Sequence, residues 1–157
     1  MSIEEGKTPP AFTLKDSKGE KVALKDFKGK HVIIYFYPKD DTPGCTKEAI
    51  GFKELYSAFG KLNAVILGIS PDDEDSHQAF IKKYKLPFIL LSDPNKKVMT
   101  KYGAYGEKMM YGKKTTGVIR STVWVGPEGK VIKHWRRVPK AADHPAKVLE
   151  QLKSVSD

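Results

Sequence analysis

The run His31-Val32-Ile33-Ile34-Tyr35-Phe36-Tyr37 constrains this chain more than any other stretch. It is β-branched and aromatic, with apolar side chains in succession rather than in alternation, so as a strand it must be covered on both faces. Such a strand belongs in the middle of a sheet that has helices packed above and below it.

The rest of the chain supplies those layers. Asn63 to Ser70 reads as a second buried strand, and Pro87 introduces a third over Phe88 to Leu91. Between the first two, Ala49, Phe52, Leu55, Tyr56 and Phe59 recur at three- and four-residue spacing as one helical stripe, with Lys47, Lys53 and Lys61 off it. Pro71-Asp72-Asp73-Glu74-Asp75 supplies turn and capping residues for a helix with Phe80, Ile81 and Tyr84 on one face. Ser92-Asp93-Pro94 opens a short helix to about Tyr102, and a last helix runs from about Ala141 to Ser154 with Val148, Leu149 and Leu152 facing inward. Ala11 to Leu14 and Lys21 to Leu24 form an N-terminal hairpin, and Val118 to Val125 with Lys130 to Arg136 form another across Gly126-Pro127-Glu128-Gly129. Gly103 to Gly117 has no clear period and reads as a long loop, a kind of segment that is often functional. Alternating strands and helices predict an α/β fold, with helices on both faces of a central mixed β-sheet.

The length, 157 residues, suits a single domain over 1–157 that buries its own core without disulfide staples. No stretch approaches about eighteen consecutive apolar residues, and Met1-Ser2-Ile3-Glu4-Glu5-Gly6 lacks the basic and apolar regions of a signal peptide. A single cysteine excludes an internal disulfide and suits a reducing compartment, so the expected location is cytoplasmic, with no membrane partner. Lys and Arg total 28 against 19 Asp and Glu, a net charge of +9. The basic pairs Lys82-Lys83, Lys96-Lys97, Lys113-Lys114 and Arg136-Arg137 are scattered among acids, and no specific nucleic-acid partner is expected.

The chemistry concentrates around Cys45, which follows Pro38-Lys39-Asp40-Asp41-Thr42-Pro43-Gly44 where the central strand gives way to a helix. A helix N-terminus presents unpaired N–H groups and the positive end of the macrodipole, and both favour thiolate over thiol. A small buried hydrophobe is the bland alternative for a lone cysteine. Thr42 either places its hydroxyl near the sulfur, donating to it or accepting a proton from a bound molecule, or simply caps the helix. Pro38 and Pro43 stiffen the loop.

Arg120 interrupts the otherwise strong strand Val118-Ile119-Arg120-Ser121-Thr122-Val123-Trp124-Val125. Either it is buried beside an anion, for which the Cys45 thiolate is a candidate, or its stem lies on the surface with its head in water. Glu48, one turn after Cys45, either orients such an arginine or favours the first turn of the helix. His31, His77, His134 and His144 lack metal-ligand spacing, and one cysteine cannot assemble a zinc set, so no metal is expected. Met109-Met110 either lines an apolar mouth or packs, and Trp124 and Trp135 suit hairpin packing.

Pro38, Thr42 and Cys45 match the Pro-x-x-x-Thr-x-x-Cys motif of the peroxiredoxins. The segment Tyr37-Pro38-Lys39-Asp40-Asp41-Thr42-Pro43-Gly44-Cys45-Thr46-Lys47-Glu48-Ala49 closely resembles the bacterioferritin comigratory protein, or Q-type, branch. Pro10-Ala11-Phe12, Ser76-His77 with Lys83-Tyr84, Leu90 to Pro94, Tyr111-Gly112-Lys113 and Arg120-Ser121-Thr122 follow in the expected order, so the resemblance covers nearly the whole chain. It implies a thioredoxin-like fold and the reduction of hydrogen peroxide and organic hydroperoxides, with no metal, flavin or other cofactor. By position, Cys45 is the peroxidatic cysteine, Thr42 and Arg120 bind the peroxide and favour the thiolate, and Pro38 shields the sulfur from water. The product is a Cys45 sulfenic acid.

Many Q-type members carry a resolving cysteine five residues after the peroxidatic one, where this chain has Ile50. Resolution therefore needs an external thiol, from thioredoxin, glutaredoxin or glutathione, or a second subunit, in a protein expected to be a monomer or a weak homodimer. The rival expectation is a thioredoxin-like redox sensor, chaperone or nucleic-acid-associated module. The joint presence of Pro38, Thr42 and Arg120 favours catalysis over it.

Overall fold

The computed structural model describes residues 3–156, and of these the side chains of Met110 and Ser156 are not described; Met1 and Ser2, part of the signal-peptide reading, lie outside the described residues, as does Asp157. The β-branched and aromatic run forms the central strand β3, His31–Phe36, and all of it after His31 is buried. It lies between β4, Ala64–Ser70, to which it is parallel, and β8, Ser121–Val125, to which it is antiparallel.

The rest of the sheet consists of β1 (Thr13–Asp16), β2 (Lys21–Ala23), β5 (Ile89–Ser92) and β9 (Val131–Trp135), in the spatial order β2-β1-β5-β4-β3-β8-β9. The β3-β4-β5 core is parallel and both flanks are antiparallel. This is the mixed sheet expected. The N-terminal hairpin forms around Asp16, whose carboxylate accepts from the Lys18 and Glu20 N–H groups at 2.8 and 3.0 Å, with Gly19 at φ +80° completing the turn.

Alternation along β3 splits the core in two. Ile33, Tyr35 and Tyr37 face α1 (Pro43–Glu54), α2 (Tyr56–Lys61), α3 (Glu74–Tyr84) and α5 (His144–Ser156), packing with Ala49, Phe52, Phe59, Phe80, Val148, Leu149 and Leu152. Val32, Ile34 and Phe36 pack on the other face with Ile3, Phe12, Met99 and Tyr102, at the N-terminal segment and α4 (Lys97–Lys101). The sheet is thus covered on both sides, as a continuous apolar strand demands.

Three expectations are corrected. The helix after Cys45 is two helices that break at Leu55, whose ψ of 6° leaves the helical ladder, and Tyr56 is 41% exposed rather than part of the buried stripe. Gly103 to Gly117 is not a loop: β6, Tyr105–Met110, and β7, Lys113–Val118, form a separate two-stranded antiparallel sheet. Its lysines, threonines and Met109 are largely exposed, so no burial pattern marks it, and backbone pairing across Tyr111-Gly112 builds it instead. Finally, Arg120 does not interrupt a strand. It occupies the junction between β7 and β8, where Ser121 begins the fully buried strand.

Candidate active site

β3 delivers the chain to the site. Tyr37 prolongs it by donating its N–H to Ile69 O at 3.1 Å, and the Pro38 to Thr42 loop then turns into α1. Thr42 is the N-cap, with extended φ and ψ of −95° and 156°, and Pro43 takes the first helical position, where its missing N–H costs nothing. Thr46 N–H makes the first intrahelical bond, to Thr42 O at 2.8 Å. The N–H groups of Gly44 and Cys45 therefore stand ahead of the ladder, at the positive end of the helix. Cys45 is 1% exposed and is a free thiol.

Arg120 reaches this point from the β7–β8 junction. Its backbone is pinned there, since Val138 N–H donates to Arg120 O at 2.9 Å and Ile119 N–H to Ala104 O at 2.7 Å. Its guanidinium donates through Nη2 to Cys45 Sγ at 3.2 Å and through Nη1 to Glu48 Oε1 at 2.8 Å. Of the two sequence readings of Arg120, the geometry selects the partly buried cation beside an anion, with the side chain 18% exposed. Gly44 makes room for the approach: a Cβ there would stand 3.2 Å from Arg120 Nη2.

Glu48 is fully buried, and its Oε2 has no hydrogen-bond partner among the described residues. Burial pushes its carboxyl up to about 7, against a downward pull from Arg120. Burial lowers the affinity of Arg120 for its proton, but Glu48 and Cys45 outweigh that and the net shift is upward, so the cation is secure. Tyr35, fully buried below the pair, is held well above the ordinary phenol range by burial first and then by the charges of Glu48, Cys45 and Asp40, so it stays neutral. Burial also carries His144 down to about 4, and its Nε2 meets Thr122 Oγ1 at 2.8 Å. Near neutral pH it adds no charge.

Thr42 is near the sulfur in sequence, but its hydroxyl proton is spent on Lys39 O at 2.9 Å. Its side chain makes no capping bond either, so what Thr42 Oγ1 offers the site is an acceptor lone pair. Pro38 is half-buried at the head of the loop.

Sequence reasoning passed over the group that anchors this loop. Asp40, nearly buried, accepts from Tyr37 OH at 2.6 Å and Ser76 Oγ at 2.8 Å, and it meets His77 Nδ1 at 2.7 Å. His77 Nε2 donates to Leu91 O at 3.1 Å, a bond that fixes a proton on that nitrogen. Asp72 closes the cluster, accepting from Asp40 N–H at 2.8 Å and Ser70 Oγ at 2.7 Å. Asp40, Asp72 and His77 offer donor atoms within 4.8 Å of one another, the one such group among the described residues. Each of them is already engaged in protein hydrogen bonds, which makes this a structural network. Only His77 carried a sequence signal, as a histidine beside Ser76 in a helix, and that signal does not point to Asp40.

A match to the AhpC/TSA family model spans residues 6–134, most of the chain, from before β1 into β9. The chain belongs to the AhpC/TSA family. Within it, a Bacillus subtilis peroxiredoxin Bcp is 45% identical over 157 residues, covering 100% of this chain and 99% of that one. A chloroplastic peroxiredoxin Q of Sedum lineare is 55% identical over 101 residues, 64% of this chain and 54% of that relative. Among solved structures, a Xanthomonas campestris bacterioferritin comigratory protein, studied for alkyl peroxide reduction activity, superposes with a TM-score of 0.89 at 39% identity, covering 98% of this chain and 100% of that one. The Xylella fastidiosa PrxQ superposes at 0.91 with 33% identity, covering 99% and 98%. This AhpC/TSA member is thus a peroxiredoxin of the Bcp/Q kind with a thioredoxin-like fold, a thiol-dependent peroxidase lacking the usual resolving cysteine.

Proposed function

We propose that Cys45 is the peroxidatic cysteine of a one-cysteine cycle that reduces hydrogen peroxide and organic hydroperoxides. The observation that carries this reading is the bond from Arg120 Nη2 to Cys45 Sγ at 3.2 Å, a cation held against the sulfur at a helix N-terminus. The thiolate attacks the terminal oxygen of the peroxide, so an S–O bond forms as the O–O bond breaks. Two electrons pass from sulfur to the peroxide, and the departing oxyanion takes up a proton to become water or an alcohol. Thr42 Oγ1 accepts from the peroxide O–H, the Arg120 guanidinium stabilises charge on the oxygens, and Pro38 screens the sulfur from water.

The resulting sulfenic acid has no cysteine partner in the chain. An external thiol condenses with it to a mixed disulfide, releasing water, and a second thiol then restores Cys45 and carries away the disulfide. Thioredoxin, glutaredoxin and glutathione all supply that chemistry. A reducing, cytoplasmic setting suits the lone thiol, and a monomer or weak homodimer needs no second subunit for the cycle. No helix among the described residues is long and apolar enough to cross a membrane.

The test is one equivalent of hydrogen peroxide added to the reduced protein, followed by dimedone and mass spectrometry. One adduct on Cys45, absent from Cys45→Ser, is expected. A reaction no faster than that of free cysteine removes the reading.

A further inference from the structure

The β6–β7 hairpin is unexplained by the peroxide chemistry. It stands apart from the main sheet and ends two residues before Arg120. Phe36, at the end of β3 that leads to Cys45, pairs with Ser121 at the start of β8, so the hairpin leaves the sheet at the same end of the strands as the loop that leads to Cys45. Six residues in each strand give it a length of about 20 Å at the usual strand rise.

Its tip is built at a conformational cost. Met110 pairs with Lys113, leaving a two-residue turn in which Tyr111 and Gly112 both have positive φ, 53° and 78°. Such turns favour asparagine, aspartate and glycine, and a bulky residue is unusual in that position. Tyr111 is 98% exposed, so no packing within the chain offsets the cost, and Met109, two residues before it, is 59% exposed. Lys113 and Lys114 flank this apolar tip, with Lys114 directly across from Met109. Exposed aromatic and methionine side chains within a cationic frame are what an interface with an acidic partner requires.

We propose that this hairpin is the docking arm for an acidic protein dithiol that reduces oxidised Cys45, with Tyr111 and Met109 as apolar anchors and Lys113 and Lys114 steering the encounter. The inference rests on the peroxidase reading, because a peroxidase with one cysteine must receive the outside thiol at Cys45 itself in every turnover. It places recognition on the hairpin and chemistry at Cys45, so the two are separable.

Steady-state turnover with hydrogen peroxide, measured with thioredoxin plus its reductase, with glutaredoxin plus glutathione, and with dithiothreitol, tests the separation. Lys113→Glu with Lys114→Glu is expected to lower kcat/KM for the protein reductant about tenfold or more, a loss that added salt reproduces in the parent chain. Tyr111→Gly, which places glycine at a φ that glycine adopts freely, is expected to raise KM for the protein reductant. Turnover with dithiothreitol and the single-turnover peroxide step should stay within twofold of the parent in both variants. Unchanged kcat/KM for the protein reductants overturns the proposal, and so does an equal loss with dithiothreitol, which would mean that the hairpin acts on Arg120. Turnover with thioredoxin and glutaredoxin no faster than with dithiothreitol also overturns it, while leaving the peroxidase reading intact. No peroxide consumption with any reductant removes both.

Discussion

Arg120 donates to Cys45 Sγ across 75 residues of chain, at 3.2 Å, while its second amino group holds Glu48 at 2.8 Å. One guanidinium thereby serves two acceptors on consecutive turns of α1, a geometry available to a planar fork and not to a point charge. Arg120→Ala should slow single-turnover peroxide reduction by about 10²- to 10³-fold, the usual loss for one donor aimed at developing oxyanion charge. Arg120→Lys should recover only part of that rate. Stopped-flow measurement decides it, and a rate for the alanine variant within a few-fold of the parent would remove the guanidinium from the reaction.

Glu48 makes stability depend on pH in an unusual sense. Its folded carboxyl titrates near 7, above the 4.5 of an unperturbed glutamate, so between those values the folded state binds more protons than the unfolded one. Stability from this group is therefore full below about 4.5, falls as pH rises, and levels off above about 7, a loss on the order of 3 kcal/mol. Glu48→Gln should flatten that limb in urea titrations run from pH 4.5 to 8. An unchanged slope would show that Glu48 is ionised throughout.

The Asp40–His77 contact at 2.7 Å fastens the loop ahead of Cys45 to α3. His77→Ala leaves Asp40 without one partner in a buried network, and a destabilisation of about 3 to 5 kcal/mol is expected from denaturant midpoints. Hydrogen exchange should rise first at Asp40 to Thr42, since that is the segment the network holds. A loss spread evenly over the fold would show that the contact stabilises the core and not the loop.

Gly44 is needed for space. Gly44→Ala puts a methyl group 3.2 Å from Arg120 Nη2, tighter than ordinary contact, and the guanidinium must shift away from the sulfur. Peroxide reactivity should fall by about tenfold, with a stability change below about 1 kcal/mol because the helical backbone accepts alanine. The opposite pattern, full activity in a destabilised protein, would place the strain in the backbone.

Much of this architecture was legible locally. The apolar runs of β3, β4 and β5 mark the parallel core, Val148, Leu149 and Leu152 mark the inward face of α5, and the Pro38 to Cys45 segment identifies the thiol. The β6–β7 hairpin was not legible because it is buried only at its base, at Val118 and in part at Tyr105, and periodicity reports burial rather than backbone pairing. The helix break at Leu55 also escaped, since the apolar stripe continues to Phe59 across it.

Residue order alone settles that one cysteine begins a helix behind a buried strand, and that any disulfide it forms must be with another molecule. The fold decides which cation meets the sulfur, that a glycine clears its path, and that Asp40 finds His77. Side-chain periodicity and turn chemistry act over a few neighbouring residues, whereas the meeting of Arg120 with Cys45 depends on the antiparallel register of β8 against β3, which places Ser121 opposite Phe36.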